Sequence, residues 1–255
     1  MRTPRRPVVA TIAALFGILL ALGGRTLHAQ LLPAAKELMA KSDAAMGGLG
    51  VFDKHTSLHL VGSMTAPALG MQAQIELFKA KPSLYLQKLA IGALGDITQG
   101  FDGRTAWISQ PGQSPVALDS AQTAGMKWQA DFLGNFHDMA RYKSVETVGL
   151  VDFEGTRSYK VKVVRSTGGE GFEFYDASTG LISGIQASAD TPMGKMEQTS
   201  VFSDYKAFAD VKMPTRILQK NAQYEAVITF TTVEFDKVDP AVFALPDALK
   251  PKPKP

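Results

Sequence analysis

Along most of this chain apolar and polar residues alternate one for one. Leu58, Leu60, Gly62 and Met64 alternate with His59, Val61, Ser63 and Thr65; after a turn at residues 67–70, Met71, Ala73, Ile75 and Leu77 alternate with Gln72, Gln74 and Glu76. A period of two puts successive side chains on opposite faces of a strand, so these residues predict a hairpin with one apolar and one wet face. Further short strands are predicted near residues 84–91, 97–101, 105–109, 144–150, 158–164, 171–175, 182–187, 195–205, 215–219 and 224–235. Between them stand turn signals: Asp102-Gly103, Pro111-Gly112, Glu154-Gly155, Gly168-Gly169 and Ser178-Thr179-Gly180. Connections this short leave no room for helical crossovers, so the strands pair antiparallel.

Two stretches break the period. Residues 33–46 read as a helix, with Pro33 in its first turn, Leu38, Met39, Ala45 and Met46 on one side, and Gly47-Gly48 as the stop. Residues 120–142 carry Met126, Trp128, Phe132, Leu133, Phe136 and Met139 mostly three or four apart, which predicts one or two short helices broken at Gly125 and Gly134. The expected fold is therefore mainly β (α+β): about ten to twelve antiparallel strands with an N-terminal helix and a helical insert. A sheet of that size curls as strand twist accumulates. Covered by helices, it encloses either a packed core or a cavity, and patterning alone leaves that choice open.

Composition adds the compartment. Arg2, Arg5 and Arg6 precede an apolar run at residues 8–22, which falls short of the roughly 20 residues of a membrane span; Leu27-His28-Ala29 then offers a small-residue cleavage site. This predicts a signal peptide over residues 1–29, a mature chain starting near Gln30, and a periplasmic protein. The chain has no cysteine, which excludes disulfides, thiolate metal sites and a lipidated N-terminal cysteine. The formal +3 charge of the full chain includes four arginines of the signal segment, so the mature chain sits at about −1 and has no electrostatic footprint for nucleic acid. The closing Lys250-Pro251-Lys252-Pro253-Lys254-Pro255 predicts an extended tail over residues 247–255.

Catalytic chemistry is poorly represented. After the signal only His55, His59 and His137 remain. His55 and His59 stand at the start of a strand, where four residues separate side chains by roughly 13 Å, too far for a helical zinc pair. His137 lies near Asp131 and Asp138 without an adjacent nucleophile, although a buried carboxylate beside it would favour a hydrolase. No Gly-x-Ser-x-Gly elbow or phosphate-binding glycine loop is present, and Gly168-Gly169-Glu170-Gly171 reads as a turn. The expectation is a non-enzyme without metal or cofactor.

Several segments in order carry a resemblance: residues 64–82 leading into Lys81-Pro82 and Tyr85-Leu86-Gln87-Lys88; Gln99-Gly100-Phe101-Asp102-Gly103-Arg104-Thr105-Ala106-Trp107; Phe174-Tyr175-Asp176-Ala177-Ser178-Thr179-Gly180-Leu181-Ile182; Asp204-Tyr205-Lys206; Val211-Lys212-Met213-Pro214; and Val238-Asp239-Pro240 to Phe243-Ala244-Leu245-Pro246. Over residues 34–246 the chain resembles the LolA/LolB-like superfamily of lipoprotein-sorting and lipid-carrying proteins. The resemblance implies an incomplete antiparallel β-barrel over residues 30–246, a few short helices as cover, and an apolar cavity for acyl chains. It also implies lipid or lipoprotein acyl chains as ligand, membrane-embedded donor or acceptor proteins as partners, and a monomer. Within that frame, strand alternation nominates Leu60, Met64, Met71, Ile75, Leu77, Ile228 and Phe230 for the concave wall, with Trp128, Phe132 and Phe136 from a lid over residues 120–142. The periplasmic carrier of the superfamily latches its lid with an early-strand arginine; here none occurs between Arg25 and Arg104. The alternative is a sensing or interaction module of the same fold that binds an exported protein.

Overall fold

The computed structural model describes residues 31–134, 136–166, 168–191 and 194–250; the expected signal peptide and residues 251–255 of the expected tail lie outside them. The alternating segments form β1 (Ser57–Ala66), β2 (Met71–Ala80), β3 (Leu84–Ala90), β4 (Asp96–Phe101), β5 (Ala106–Ser109), β6 (Val116–Ala117), β7 (Tyr142–Phe153), β8 (Thr156–Arg165), β9 (Glu170–Asp176), β10 (Ile182–Thr191), β11 (Gly194–Phe208), β12 (Val211–Lys220) and β13 (Glu225–Phe235). Among the described residues they make one 13-stranded antiparallel sheet, ordered β6-β5-β4-β3-β2-β1-β13-β12-β11-β10-β9-β8-β7. Every neighbour is a sequence neighbour except one pair: β1 joins β13, so a single long-range seam unites two meanders. With β6 and β7 at opposite ends of the order, the barrel is incomplete, as expected. The two-residue β6 has too few alternating positions to register as a strand in sequence.

The seam contains a bulge. Leu60 faces Val233 and Val61 faces Thr232, but Gly62 faces Phe230, so Thr231 is the extra residue. The insertion flips the phase of β13: Ala226, Ile228 and Phe230 point to the core before it, Val233 and Phe235 after it. Gly62 fits that approach because it has no side chain. A Cβ there would lie 2.1 Å from the Thr229 carbonyl oxygen.

The concave face carries three apolar clusters. The largest gathers Leu58, Leu60, Ile75, Met213, Ile228 and Phe230 of the sheet with Phe52 of α2 (Leu49–Phe52) and with Phe132 and Phe136 of the insert. A second seats α1 (Ala35–Ala45) through Leu38 and Met39 on Val161, Val163 and Tyr175. The third seats α3 (Ser120–Ala130) through Met126 and Ala130 on Tyr85, Phe101 and Ala106. Against expectation, α3 runs through Gly125 without a break. Asp119 caps it by a reciprocal box with Gln122, and the cap with burial of Met126 outweighs the roughly 1 kcal/mol that a mid-helix glycine costs. The helix stops at Asp131 instead, and Gly134 falls in the following turn.

On the opposite face, Phe78, Leu86 and Trp107 are covered by Phe243, with Leu245 and Leu249 beside it. The first residues of the expected tail are ordered: Asp247–Leu249 forms a 3-10 turn and Leu249 packs on this cluster. Trp107 lies across Gly100, where a Cβ would meet its ring at 2.8 Å. Among the described residues no helix is long and apolar enough to cross a membrane.

Candidate functional site

Between the concave wall and its cover lies a cavity of about 270 Å³. Its sheet side is built by inward positions of both meanders: Leu58 and Leu60 of β1, Leu77 of β2, Met213 and Ile217 of β12, Phe230 of β13, and Ile185, Phe202 and Tyr205 of β10 and β11. The cover contributes Met46, Phe52, Trp128, Gly134, Phe136 and His137. Patterning left packed core and cavity open; the core is packed around a residual apolar chamber.

Of the residues nominated from sequence, Leu60, Leu77, Trp128, Phe136 and Phe230 line this chamber. Ile75 and Ile228 are buried within the surrounding cluster, and Met64 packs partly buried against it. Phe132 is 1% exposed, its ring centroid 5.1 Å from that of Phe52; it plugs the core instead of lining the space. Met71, at the start of β2, is half-buried and lies outside the lining. Nominating these from alternation treats every inward position as equivalent, whereas depth along the strand decides which of them reach the space.

The chamber also has a polar end that alternation can locate and apolar counting passes over. In β2 the inward series Ala73, Ile75, Leu77 ends in Lys79; in β8 the series Val161, Val163 ends in Arg165. Both cations line the cavity, as do Tyr142, His137 and Glu173. The Lys79 ammonium donates to the Asp131 carbonyl at 3.2 Å, tying β2 to the end of α3. Burial pulls its pKa down to about 8, with the nearby Asp131 carboxylate opposing the shift. Asp131 is itself ion-paired to Arg141. Trp128 is 39% exposed because it spans this rim, with the Arg165 guanidinium 4.2 Å and that of Arg141 5.7 Å from its ring centroid.

His137 is held on every side. Its Nδ1 bonds Asp43 Oδ1 at 2.7 Å and its backbone N–H donates to Asp43 Oδ2 at 3.1 Å. Nε2 lies 3.0 Å from the Tyr175 hydroxyl and 3.4 Å from Glu173 Oε2, and Tyr175 donates to Glu173 Oε2 at 2.5 Å. Burial disfavours the imidazolium, yet the hydrogen bonds and charges of Asp43 and Glu173 win and lift the His137 pKa to about 9. Burial likewise opposes charge on Glu173, but the His137 and Tyr175 contacts hold its pKa below the usual carboxylate value.

The buried Glu173 carboxylate beside His137, with the half-buried Asp43, is the feature that would favour a hydrolase, so its chemistry matters. A general base must be neutral near the working pH and within reach of a nucleophile. Here both ring nitrogens are engaged, the imidazole is protonated at neutral pH, and its hydroxyl partner is a tyrosine that already donates to Glu173. The arrangement clamps the insert onto α1 and β9. His55 and His59 are separately engaged: His55 bonds Asp236 at 2.7 Å, and His59 stacks on Phe78 at 4.3 Å. Among the described residues no group of three His, Asp or Glu is placed to hold a metal ion.

An open antiparallel barrel whose concave face holds an apolar chamber under helical cover is a ligand-enclosing architecture. No protein-family model matches the chain, and no curated protein matches it. Among solved structures it is similar to the LolA superfamily protein NE2245 from Nitrosomonas europaea, with a TM-score of 0.57 at 15% identity, covering 84% of this chain and 99% of that one. A DUF1329 family protein from Desulfovibrio piger gives 0.58 at 12% identity, covering 82% and 97%. An outer-membrane lipoprotein-sorting protein domain from Vibrio parahaemolyticus gives 0.57 at 11% identity, covering 81% and 94%. The fold is LolA-like, in a sequence-divergent version.

Proposed function

We propose that this protein is a non-catalytic carrier of the cell envelope that shelters acyl chains of a lipid or lipoprotein, accepting them from one membrane-bound partner and passing them to another. The observation that carries the reading is the chamber itself, apolar on the sheet side and partly covered by Met46, Phe52 and Phe136. Each buried methylene is worth about 0.8 kcal/mol, so a ~12-carbon chain offers roughly 10 kcal/mol gross. Ordering costs and competition from the bilayer reduce this to the small surplus that a carrier needs to release its cargo. Leu60, Leu77, Phe136 and Phe230 would contact the chain, with Ile75, Ile228, Met64 and Phe132 supporting the wall and Trp128 at the rim. Export by a cleaved signal would place the carrier in the periplasm as a monomer.

Native mass spectrometry of the mature protein, purified from an envelope fraction without detergent, tests this. The expected result is a co-purifying acylated mass that is lost in Leu77→Asp, with strand content checked by circular dichroism. An apo mass that takes up nothing from phospholipid vesicles would overturn it. One observation favours a second reading, the sensing or interaction module: β7 stands at the end of the sheet with twelve residues of strand, a length suited to strand addition by an exported partner. A lipid-free protein that is captured through β7 would support that module.

A further inference from the structure

The chamber's polar end is charged asymmetrically. Each carboxylate there is already engaged: Asp43 with His137, Asp131 with Arg141, and Glu173 with Tyr175 and His137. Among the described residues none of these carboxylates lies within ion-pair distance of Lys79 or Arg165. Lys79 carries three N–H donors and gives one, to the Asp131 carbonyl. The Arg165 guanidinium stands 4.2 Å from the Trp128 ring centroid and, among the described residues, has no carboxylate within ion-pair distance. An ammonium drawn out of water into an apolar chamber, with its nearby carboxylate Asp131 already ion-paired to Arg141, is costly. The fold bears that cost at the place where the inward apolar series of two strands, β2 and β8, both end in a cation.

Resting on the carrier reading, we infer that the cargo is a single-chain amphiphile with an anionic head, a carboxylate or a phosphate ester, its chain along the apolar wall and its head between Lys79 and Arg165. The charge specifies the head: an anion supplies the acceptors that Lys79 lacks, and Arg165 offers the planar fork suited to oxyanions. The volume specifies the chain count. About 270 Å³ lies just below the roughly 300–1,000 Å³ of small-ligand pockets, which favours one chain over a pair. The depressed basicity of Lys79 agrees, since desolvation lowers it by more than the Asp131 carboxylate raises it, and a further anion would offset that cost.

Isothermal titration of the delipidated mature protein with dodecanoate, dodecyl phosphate, 1-dodecanol and inorganic phosphate, each below its aggregation limit, tests the inference. The two anionic amphiphiles are expected to bind about ten-fold or more tighter than the alcohol, the scale of a charge-assisted hydrogen bond, and inorganic phosphate alone to bind at least about a hundred-fold more weakly than dodecyl phosphate. Lys79→Met, which replaces a costly buried charge by an apolar chain of similar length, is expected to collapse the acid-to-alcohol ratio towards one. Arg165→Gln should lower it in part. Equal affinity for dodecanoate and dodecanol, or a ratio that survives Lys79→Met, overturns the head-group assignment and leaves the carrier reading standing. Inorganic phosphate binding as tightly as dodecyl phosphate overturns it in favour of a free-anion site. If no chain binds at all, the carrier reading falls together with the inference.

Discussion

His137 shows how one residue joins three parts of the chain: it sits in the insert, and its partners come from α1 and β9. Its folded pKa of about 9 lies above the ordinary 6.5, so its contribution to stability is complete below pH 6.5 and is lost as pH rises through 9. Glu173 runs the other way, its folded pKa held below 4.5; its share is present above that value and is lost in acid. The clamp is therefore strongest between about pH 4.5 and 6.5. Nitrogen-resolved NMR at pH 7.5 should find both ring nitrogens of His137 protonated. His137→Gln should cost about 3–5 kcal/mol near pH 6, because it leaves the buried Glu173 carboxylate uncompensated, and denaturant titrations should show the gap narrowing towards pH 9. Lys79 behaves oppositely. Its folded pKa of about 8 lies below 10.5, so it burdens the fold fully below pH 8 and less as pH climbs towards 10.5. Lys79→Met should raise stability at pH 7 by about 1–3 kcal/mol, an advantage that shrinks in alkaline solution. These two residues mark the limit of what was legible in the sequence. Alternation could have put Lys79 and Arg165 on the inward face, yet a charged residue after an apolar series reads as the end of a buried strand. Asp43 and Glu173 meet His137 only through tertiary structure.

Among the elements, strands were easier to read than their phase. The predicted alternation in β1 and β2 matches the observed pairing, Leu60 opposite Leu77 and Met64 opposite Ala73, because a half-buried antiparallel strand must alternate. The bulge at Thr231 escaped, since one inserted residue changes the phase without changing composition. Gly62 is the cheap probe of that feature. Gly62→Ala places a Cβ 2.1 Å from a backbone oxygen, and backbone in a paired strand cannot step aside, so urea unfolding should show a loss of about 3 kcal/mol or more. Gly125→Ala is the contrasting change. A Cβ there meets nothing within 4 Å, and the helix should gain about 0.5–1 kcal/mol. The expected break at Gly125 failed for the same reason: glycine weakens a helix by less than a cap and a buried face stabilise it.

For the whole molecule, the topology follows from short connections between consecutive strands except the insert between β6 and β7, and no local signal announces the seam between β1 and β13. The last described residues matter more than a solvated tail would. Phe243 is 5% exposed on the convex face beside Phe78, Leu86 and Trp107. A chain ending at Asp239 should therefore uncover Trp107, seen as red-shifted fluorescence, and should lose roughly 3–5 kcal/mol, the scale of removing a large buried aromatic. Whether a curled sheet keeps a chamber or fills it was beyond patterning, because the difference lies in side-chain depth and in how Phe52, Phe132 and Phe136 share one space.

The strand order has one more consequence. The segment carrying α3, Phe136 and His137 leaves the sheet at β6, at one end of the order, and rejoins it at β7, at the other. The cover is therefore a strap buckled at both rims and cannot swing as a hinged flap. Slack in such a strap opens slots along its two sides, and a wider gap requires the rims themselves to spread. On the carrier reading, a long thin chain would thread under it end-on and a bulky head would stay at the slot, beside Lys79 and Arg165.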